Sequence, residues 1–473
     1  MSQPGSFRLS FARRFGYSLG NLPAELLWNI ILGWGMYFLS PPLDKTGVIL
    51  YLPASLAGMV IGLGRVMNGI SDPLVGYLSD KTRTRWGRRM PYIIFATPPF
   101  LLCFLFFWFS PAPAPTWASQ YDWSIFGRTI QITSNYIPTA LWLFIFGGGF
   151  YFLFAVVVNP YLSLLPEITP DNDERLNISM WQAYVGVVAT ILALGLVGYL
   201  ITEMPSGVTI AGFHFPDMYK VIAIGSVILS ALCLGPTVFL LKETQHSEKK
   251  EVPYSILRAW WETLKNRAFL PWVVSVALLR LAADIVIGSI PFLMSYLLFG
   301  TDLAGKSELI AGGVQLTIMI VAAAMFPLTN YLSQKYTKRK IFLICLLWFG
   351  LFLPVWATLH LWGGIPAVYR PFILFLFAAP PVSAMLVLPR PILADIIDFD
   401  ETVTGYRRES VYNGVEGLWT KSFSALSPLI MGLMFDLLGN THARPLGVIS
   451  VGPVAGVITL LSFAAFWYYP IKK

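Results

Sequence analysis

Residues 72–81 read DPLVGYLSDK, and residues 326–335 read FPLTNYLSQK. Pro, Leu, Tyr, Leu, Ser and Lys coincide at six of ten positions, at an offset of 254. Each copy closes a long apolar run and leads into basic residues: DKTRTRWGRR after the first, QKYTKRK after the second. A repeat at corresponding places in two parts of a chain points to two structurally related halves. The copies also differ. Phe326 stands where the first has Asp72, and Gln334 where it has Asp80. The turn from helix to loop therefore does not itself require a carboxylate at position 72.

Composition sets the surroundings. The chain has 473 residues, 56% of them hydrophobic and only 12% charged, with a mean hydropathy of +0.65. Soluble domains carry about 25% charged residues, so this chain cannot cover a water-facing surface of its size. Apolar segments near the ~20 residues needed to cross a bilayer recur twelve times, at 17–40, 49–79, 91–110, 137–165, 178–202, 219–241, 268–299, 308–333, 340–361, 369–395, 410–438 and 446–470. The expected fold class is an all-α membrane protein with twelve transmembrane helices. The net charge of +8 is then read as an excess of Lys and Arg on cytoplasmic loops, and no nucleic-acid partner is expected. Cys103, Cys233 and Cys345 all lie in apolar runs and read as free packing thiols. The N-terminus carries Arg8, Arg13 and Arg14 before its first apolar run and no small-residue cleavage pattern.

Loop charge orients the spans. The connections after the second, sixth and eighth spans carry five, six and four basic residues, and the chain ends IKK. The connections on the other side, such as SPPLDKTG and SPAPAPTWASQYDWSIFGRT, are poor in them. Even-numbered connections and both termini are therefore expected in the cytoplasm of a multi-pass cell-membrane protein. The acidic PEITPDNDERLN after span four does not disturb this, because acidic residues weigh little in the rule. The long connection near 242–267 divides the chain into an N-terminal half, 1–241, and a C-terminal half, 268–473. Two parallel six-helix halves are the arrangement of the major facilitator fold.

Against that apolar background the buried charges stand out. A charge at mid-bilayer costs about 2.5–3.5 kcal/mol on insertion scales, and such residues face the protein interior and find partners. Asp72 lies eight residues before Asp80, about 12 Å from the cytoplasmic end at 1.5 Å per residue. Glu25 and Lys421 fall at similar depth on spans one and eleven. One reading is an ion pair that exchanges partners with a cation and a solute. The competing reading is a static bridge between the halves, although buried ion pairs often add little net stability. In span seven, VALLRLAADIVIG places Arg280 and Asp284 one turn apart on one face; they line a cavity or simply neutralise each other. Arg65, two turns before Asp72, reaches a solute, pairs, or snorkels.

Trp28, Trp34, Tyr37, Trp348, Trp356 and Trp419 sit on spans. Sugar sites use aromatic faces with a few polar groups, but Trp and Tyr also anchor membrane interfaces. Only Trp28 and Trp419 lie within a turn of the charged residues. The four histidines, His214, His246, His360 and His442, have no metal-ligand spacing, and no phosphate-binding glycine loop is present. No enzyme activity and no cofactor are expected. The sequon at Asn177 falls on the cytoplasmic side and is expected to be unused.

The stretch RVMNGISDPLVGYLSDKTRTRWGRRMPYI (Arg65–Ile93) resembles the signature of the glycoside–pentoside–hexuronide:cation symporters, the melibiose-permease family within the major facilitator superfamily. The similarity extends to NPYLSLLPEIT (Asn159–Thr169), ADIIDFDETVTGYRRES (Ala394–Ser410) and WTKSFSALSP around Lys421. The resemblance implies a cation-site carboxylate at Asp72, a substrate-binding acid at Glu25, a lysine near the cation site at Lys421, and gate-locking loop charges at Asp80, Arg88 and Arg89. The chain departs from melibiose permeases at Asn68, where they carry a second cation-site Asp. It departs again at Val158, where they carry an Asp, and near Gln182, where they carry a sugar-binding Arg.

The expectation is a secondary transporter coupling a monovalent cation to a sugar or glycoside by alternating access, as a monomer. Asp72, Asn68 and Lys421 serve the cation; Glu25, Arg65, Trp28, Gln182, Trp419, Arg280 and Asp284 serve the solute. A single helix-two carboxylate favours a proton over sodium, which Asp72 would hold if it were the ion. The alternatives are a lysophospholipid or other amphipathic cargo on the same fold, and a non-transporting receptor or scaffold, which has no use for mid-membrane charges.

Overall fold

The structure, a computed structural model, describes residues 10–42, 44–45, 48–113, 120–125, 128–169, 172–204, 207–210, 212–215, 217–240, 261, 263–404 and 409–471. Eleven helices among them are long and apolar enough to cross a membrane by length and composition. The remaining span, span two, is Ala54–Lys81; its 28 residues are ample for a ~30 Å hydrocarbon core, but it carries Arg65, Asp72, Asp80 and Lys81 along its length. Two short antiparallel hairpins, Gln120–Ile125 with Arg128–Thr133 and Val208–Ile210 with Phe213–Phe215, sit in the loops after spans three and five.

The spans follow the apolar runs closely. Span one begins earlier than expected, as Phe11–Leu19, and continues as Asn21–Leu39. Span three is Met90–Trp108, span four Ile137–Ser163, span six Met218–Leu240 and span seven Phe269–Leu298. Several spans of the second half are interrupted where proline removes a donor and crowds the preceding turn. Span eight runs Ser307–Ala324 and resumes as Phe326–Tyr336 with Pro327 in its first turn; span ten breaks at Leu388 before Pro389–Thr404. Span nine is Lys338–Phe352 followed by a tighter 3₁₀ segment. Span eleven is Glu409–Ser424 and Leu426–Leu438, and span twelve is Val451–Trp467. Buried hydroxyls return to carbonyls one turn back, as Thr190 does to Gly186 and Thr459 to Ala455, which satisfies them where lipid offers no partner. Moved by the 254-residue offset, span two would cover 308–335; span eight covers Ser307–Tyr336. Most of the expected linker at 242–267 lies outside the described residues.

Span five contains a π-helical stretch, Ile191–Leu196, between Asn172–Thr190 and Val197–Glu203. The wider turn alters the carbonyl pattern, and the Ala193 carbonyl accepts from the Trp34 indole at 3.1 Å. Beside it, a Cβ on Gly312 of span eight would meet the Leu194 carbonyl at 2.5 Å, and one on Gly198 the Glu308 carbonyl at 2.5 Å. Spans five and eight therefore touch backbone to backbone, which only glycine permits.

This contact belongs to a closed end of the bundle. There the Tyr37 hydroxyl meets Ser295 Oγ at 2.7 Å and donates to Glu308 Oε1 at 3.1 Å. Glu308 also pairs with Lys45 and accepts from Ser307 Oγ at 3.0 Å. Asp436 of span eleven accepts from the first backbone amides of span two, Ala54 at 3.1 Å and Ser55 at 2.7 Å, a favourable place for a carboxylate. Each of these bonds, except that from Ser307, joins the first six spans to the last six. At the opposite end Arg14 pairs with Glu174 within the first half, and Lys338 with Asp395 and Arg390 with Glu416 within the second.

Candidate functional site

Span two carries the charges to the junction of the halves. Asp72 Oδ1 accepts from Asn159 Nδ2 of span four at 2.8 Å, and Oδ2 pairs with Lys421 of span eleven. Neither partner is sealed: 18% of the Asp72 side chain and 26% of the Lys421 side chain remain exposed.

Two turns away Arg65 is in a drier place, 5% exposed, with Asp284 at 1%. Arg65 Nη1 lies 3.4 Å from Asp284 Oδ2 and donates to the Ser424 carbonyl at 3.2 Å and Ser427 Oγ at 2.9 Å. Its Nε donates to the Tyr151 hydroxyl at 3.3 Å, and the guanidinium sits 5.8 Å from the Trp28 ring centroid. Of the three readings open to Arg65, pairing is the one realised. Asp284 also accepts from the Ser424 hydroxyl. Arg280 Nε lies 3.2 Å from Asp284 Oδ1, an ion pair without hydrogen-bond alignment. Asp284 is thus shared by two arginines, and Arg280 stays half-exposed.

Glu25 accepts a long 3.4 Å bond from Asn29, which also reaches Thr190 Oγ1. The positive charge that acts on Glu25 is that of Arg280, from the other half. Two ion pairs, Arg65 with Asp284 and Asp72 with Lys421, therefore span the junction, and Glu25 with Arg280 makes a third couple that acts through space without direct contact. Three acids and three bases leave it close to neutral, and each couple has one member on each half.

The remaining candidates are placed differently. Asn68 is wholly buried; its Nδ2 donates to the Tyr151 carbonyl of span four at 2.7 Å, and its Oδ1 has no hydrogen-bond partner among the described residues. Gln182 donates to the Tyr161 hydroxyl at 2.8 Å, and its own carbonyl accepts from Asn21, so its polar groups are held inside the first half. Trp28 packs edge-on against Tyr151 at 5.5 Å, under Arg65. Trp419 stacks on Phe423 at 5.8 Å, one turn along its own helix. Arg88 is half-buried and Arg89 buried beside a tight Thr84–Gly87 turn, where Gly87 takes φ +105°. The Asp80 side chain lies outside those described. Trp34 and Trp356 are buried packing residues whose indoles donate to the Ala193 and Val448 carbonyls. Among the described residues no group of three or more His, Cys, Asp or Glu could hold a metal ion.

Glu308 and Lys45 carried no signal in the sequence. Glu308 follows Lys306 at the start of an apolar run and reads as a surface charge. Asn159, Tyr151, Ser424 and Ser427 are likewise ordinary residues in apolar runs until the fold places them beside a charge. A cavity of about 560 Å³ lies at the closed end, lined in part by Tyr37, Tyr51, Asp217, Tyr219, Lys45 and Glu308. The Lys45–Glu308 pair is part of its wall, and none of the residues of the three couples is. Outside the spans, burial pushes the Asp217 carboxyl above the usual carboxylate range, and burial followed by the neighbouring Asp217 pushes the Tyr51 phenol up.

The Lys45–Glu308 pair holds the closed end. Replacing Glu308→Gln keeps an acceptor for Tyr37 and removes the charge that attracts Lys45. A cysteine at Ser295, beneath the pair, is expected to react with a maleimide roughly fivefold faster or more in that background, the change that 1–2 kcal/mol produces in a two-state population. An unchanged labelling rate would show that the pair does not latch this end.

A sequence-family model described as MFS/sugar transport protein matches residues 16–472. The chain belongs to this family. Among curated relatives, an uncharacterized symporter of Synechocystis is 24% identical over 94% of this chain and 89% of its own. A glucuronide carrier protein homolog of Escherichia coli is 24% identical over 98% and 93%. A crystal structure of a D-xylose–proton symporter superposes with a TM-score of 0.64 at 13% identity, covering 98% of both chains; at that identity it shows the fold. The transporter therefore has the major facilitator architecture expected from its twelve runs and its repeat, and a membrane as its surroundings.

Proposed function

We propose that this transporter is a secondary carrier that moves a sugar or glycoside together with a monovalent cation, by rocking its halves, 1–241 and 268–473, about the linker at 242–267. The observation that supports it most is the Asp72–Lys421 pair, which joins the halves, holds opposite charges at membrane depth and remains open to water. A cation that neutralises Asp72 releases Lys421, and the junction loses one of its three couples. Coupling arises because the ion and the contact between halves compete for one carboxylate. The single carboxylate on this part of span two favours a proton over sodium. Arg280 and Glu25, on opposite halves and near enough for the arginine's charge to act on the acid, are suited to hydroxyls of a bound glycoside, with Trp28 as an aromatic surface. By the loop charges, the end carrying residues 80–89 faces the cytoplasm, as do both termini, in a cell membrane. The conformation described is then open inward. The carrier works as a monomer.

Purified protein in lipid vesicles tests this with a panel of sugars and glycosides and an imposed proton or sodium gradient. Accumulation of one glycoside class that follows one gradient is the expected result. Accumulation of lysophosphatidylcholine in place of every glycoside would move the cargo to an amphipathic lipid. No gradient-dependent accumulation of any solute by intact protein would overturn the proposal.

A further inference from the structure

Spans two and eleven run antiparallel across the junction, and their contacts keep one register. A Cβ on Gly432 would lie 2.1 Å from the Ala54 carbonyl, one on Gly58 2.0 Å from the Pro428 carbonyl, and one on Gly62 2.7 Å from the Ala425 carbonyl. At Gly69 the neighbours are the side chains of Lys421, Ser422 and Leu418 at 3.6–3.8 Å. Asp72 then reaches Lys421, and its Oδ2 lies 3.8 Å from a Cβ on Gly417. As the position rises along span two it falls along span eleven. The next step is Gly76, one turn after Asp72, opposite Gly414, one turn before Gly417. Among the described residues, a Cβ on either would meet nothing within 4 Å. Positions 69, 72 and 76 share one face of span two, and 414, 417 and 421 one face of span eleven.

We propose that Gly76 and Gly414 form the next contact of this register, unmade here and made when the halves close at this end. Asp72–Lys421 stands at the boundary between the made and unmade contacts. The pair is therefore the last interaction kept on opening and the hinge of the register on closing. Glycine is needed at 76 and 414 because the made contacts of the same register bring helix backbones together. The inference rests on the rocking mechanism proposed above, but its geometry does not depend on the cargo.

The test uses the full chain with Cys103, Cys233 and Cys345 replaced, reconstituted in vesicles. Gly76→Cys with Gly414→Cys is expected to form a disulfide under mild oxidation about tenfold or more faster than Gly76→Cys with Leu418→Cys, one turn out of register. Gly69→Cys with Leu418→Cys, already neighbours, cross-links in any conformation and reports that the helices are arranged as described. Cross-linking of 69 with 418 but not of 76 with 414 overturns the inference. Cross-linking of 76 with 414, when the cysteine-free chain with both glycines intact accumulates no solute, leaves the register standing and removes the transport reading. A second variant, Gly76→Leu, fits the open space and is expected to retain solute binding while uptake falls about tenfold or more, since an added side chain overpacks the closed contact. Gly225→Leu on span six, also with nothing within 4 Å, is the control expected to transport normally. Normal uptake by Gly76→Leu would likewise overturn the inference.

Discussion

Asp72→Asn abolishes gradient-driven accumulation and leaves the protein folded: that is the expected result in reconstituted vesicles. The carboxylate is where cation and Lys421 compete, so its loss uncouples the two. Coupling free energies of 1–3 kcal/mol correspond to about 5–150-fold, and accumulation is expected to fall by that factor, to simple equilibration. Stability is expected to change little. Lys421 and Asp72 are both reached by water, and such a pair contributes only ~0–1 kcal/mol. Asn at 72 keeps an amide for Asn159 to meet. Lys421→Ala is also expected to lose uptake, because Asp72 then holds its cation without a competitor. Combining the two changes is expected to restore part of the uptake lost in the worse single variant. Full accumulation by Asp72→Asn would remove the coupling role. A double variant no better than the worse single would show that the two do not act as a simple pair.

Asp284→Ala has the largest expected effect on stability. Asp284 and Arg65 are nearly dry, and removing one member of a buried pair leaves the other charge uncompensated, at a cost of about 3–5 kcal/mol. Arg65 keeps its bonds to Ser424 and Ser427, which places the loss toward the lower end. Arg280 loses its carboxylate at the same time. Thermal unfolding in detergent is expected to shift down markedly for Asp284→Ala and barely for Asp72→Asn. Equal shifts would mean that exposure does not separate the structural couple from the exchanging one. The distinction would separate two couples two turns apart by exposure: Asp72 and Lys421 keep accessible surface, whereas Arg65 is packed among Tyr151, Trp28, Ser424 and Ser427.

The sequence determined the number and order of the twelve spans and most of their ends, because lipid demands about 20 apolar residues per crossing and loops must carry the charge; spans one and five start earlier, at Phe11 and Asn172, and span ten runs on to Thr404, where polar and charged residues extend the helix past the apolar run. It also exposed the two halves, through a ten-residue repeat whose copies fall at the ends of spans two and eight. Asp72 and Lys421 were legible as a candidate pair from depth alone, since charge in an apolar run is rare enough to be informative. Depth could not say which charges meet. The i, i+4 spacing already offered Arg280 to Asp284, but only helix rotation and packing brought Arg65 to the same carboxylate. Periodicity also could not separate Asn68, turned into the packing on span four, from Asp72 one turn later at the junction. Glu308 and Lys45 sit at span ends, where charge is ordinary, and came together only when span eight was laid against span five and the loop after span one reached it. The register of spans two and eleven, 349 residues apart at Asp72 and Lys421, is a property of two helices meeting. Burial and hydrophobicity act on each residue singly and are written along the chain, whereas pairing depends on the rotation and approach of helices distant in sequence, which only the assembled bundle decides.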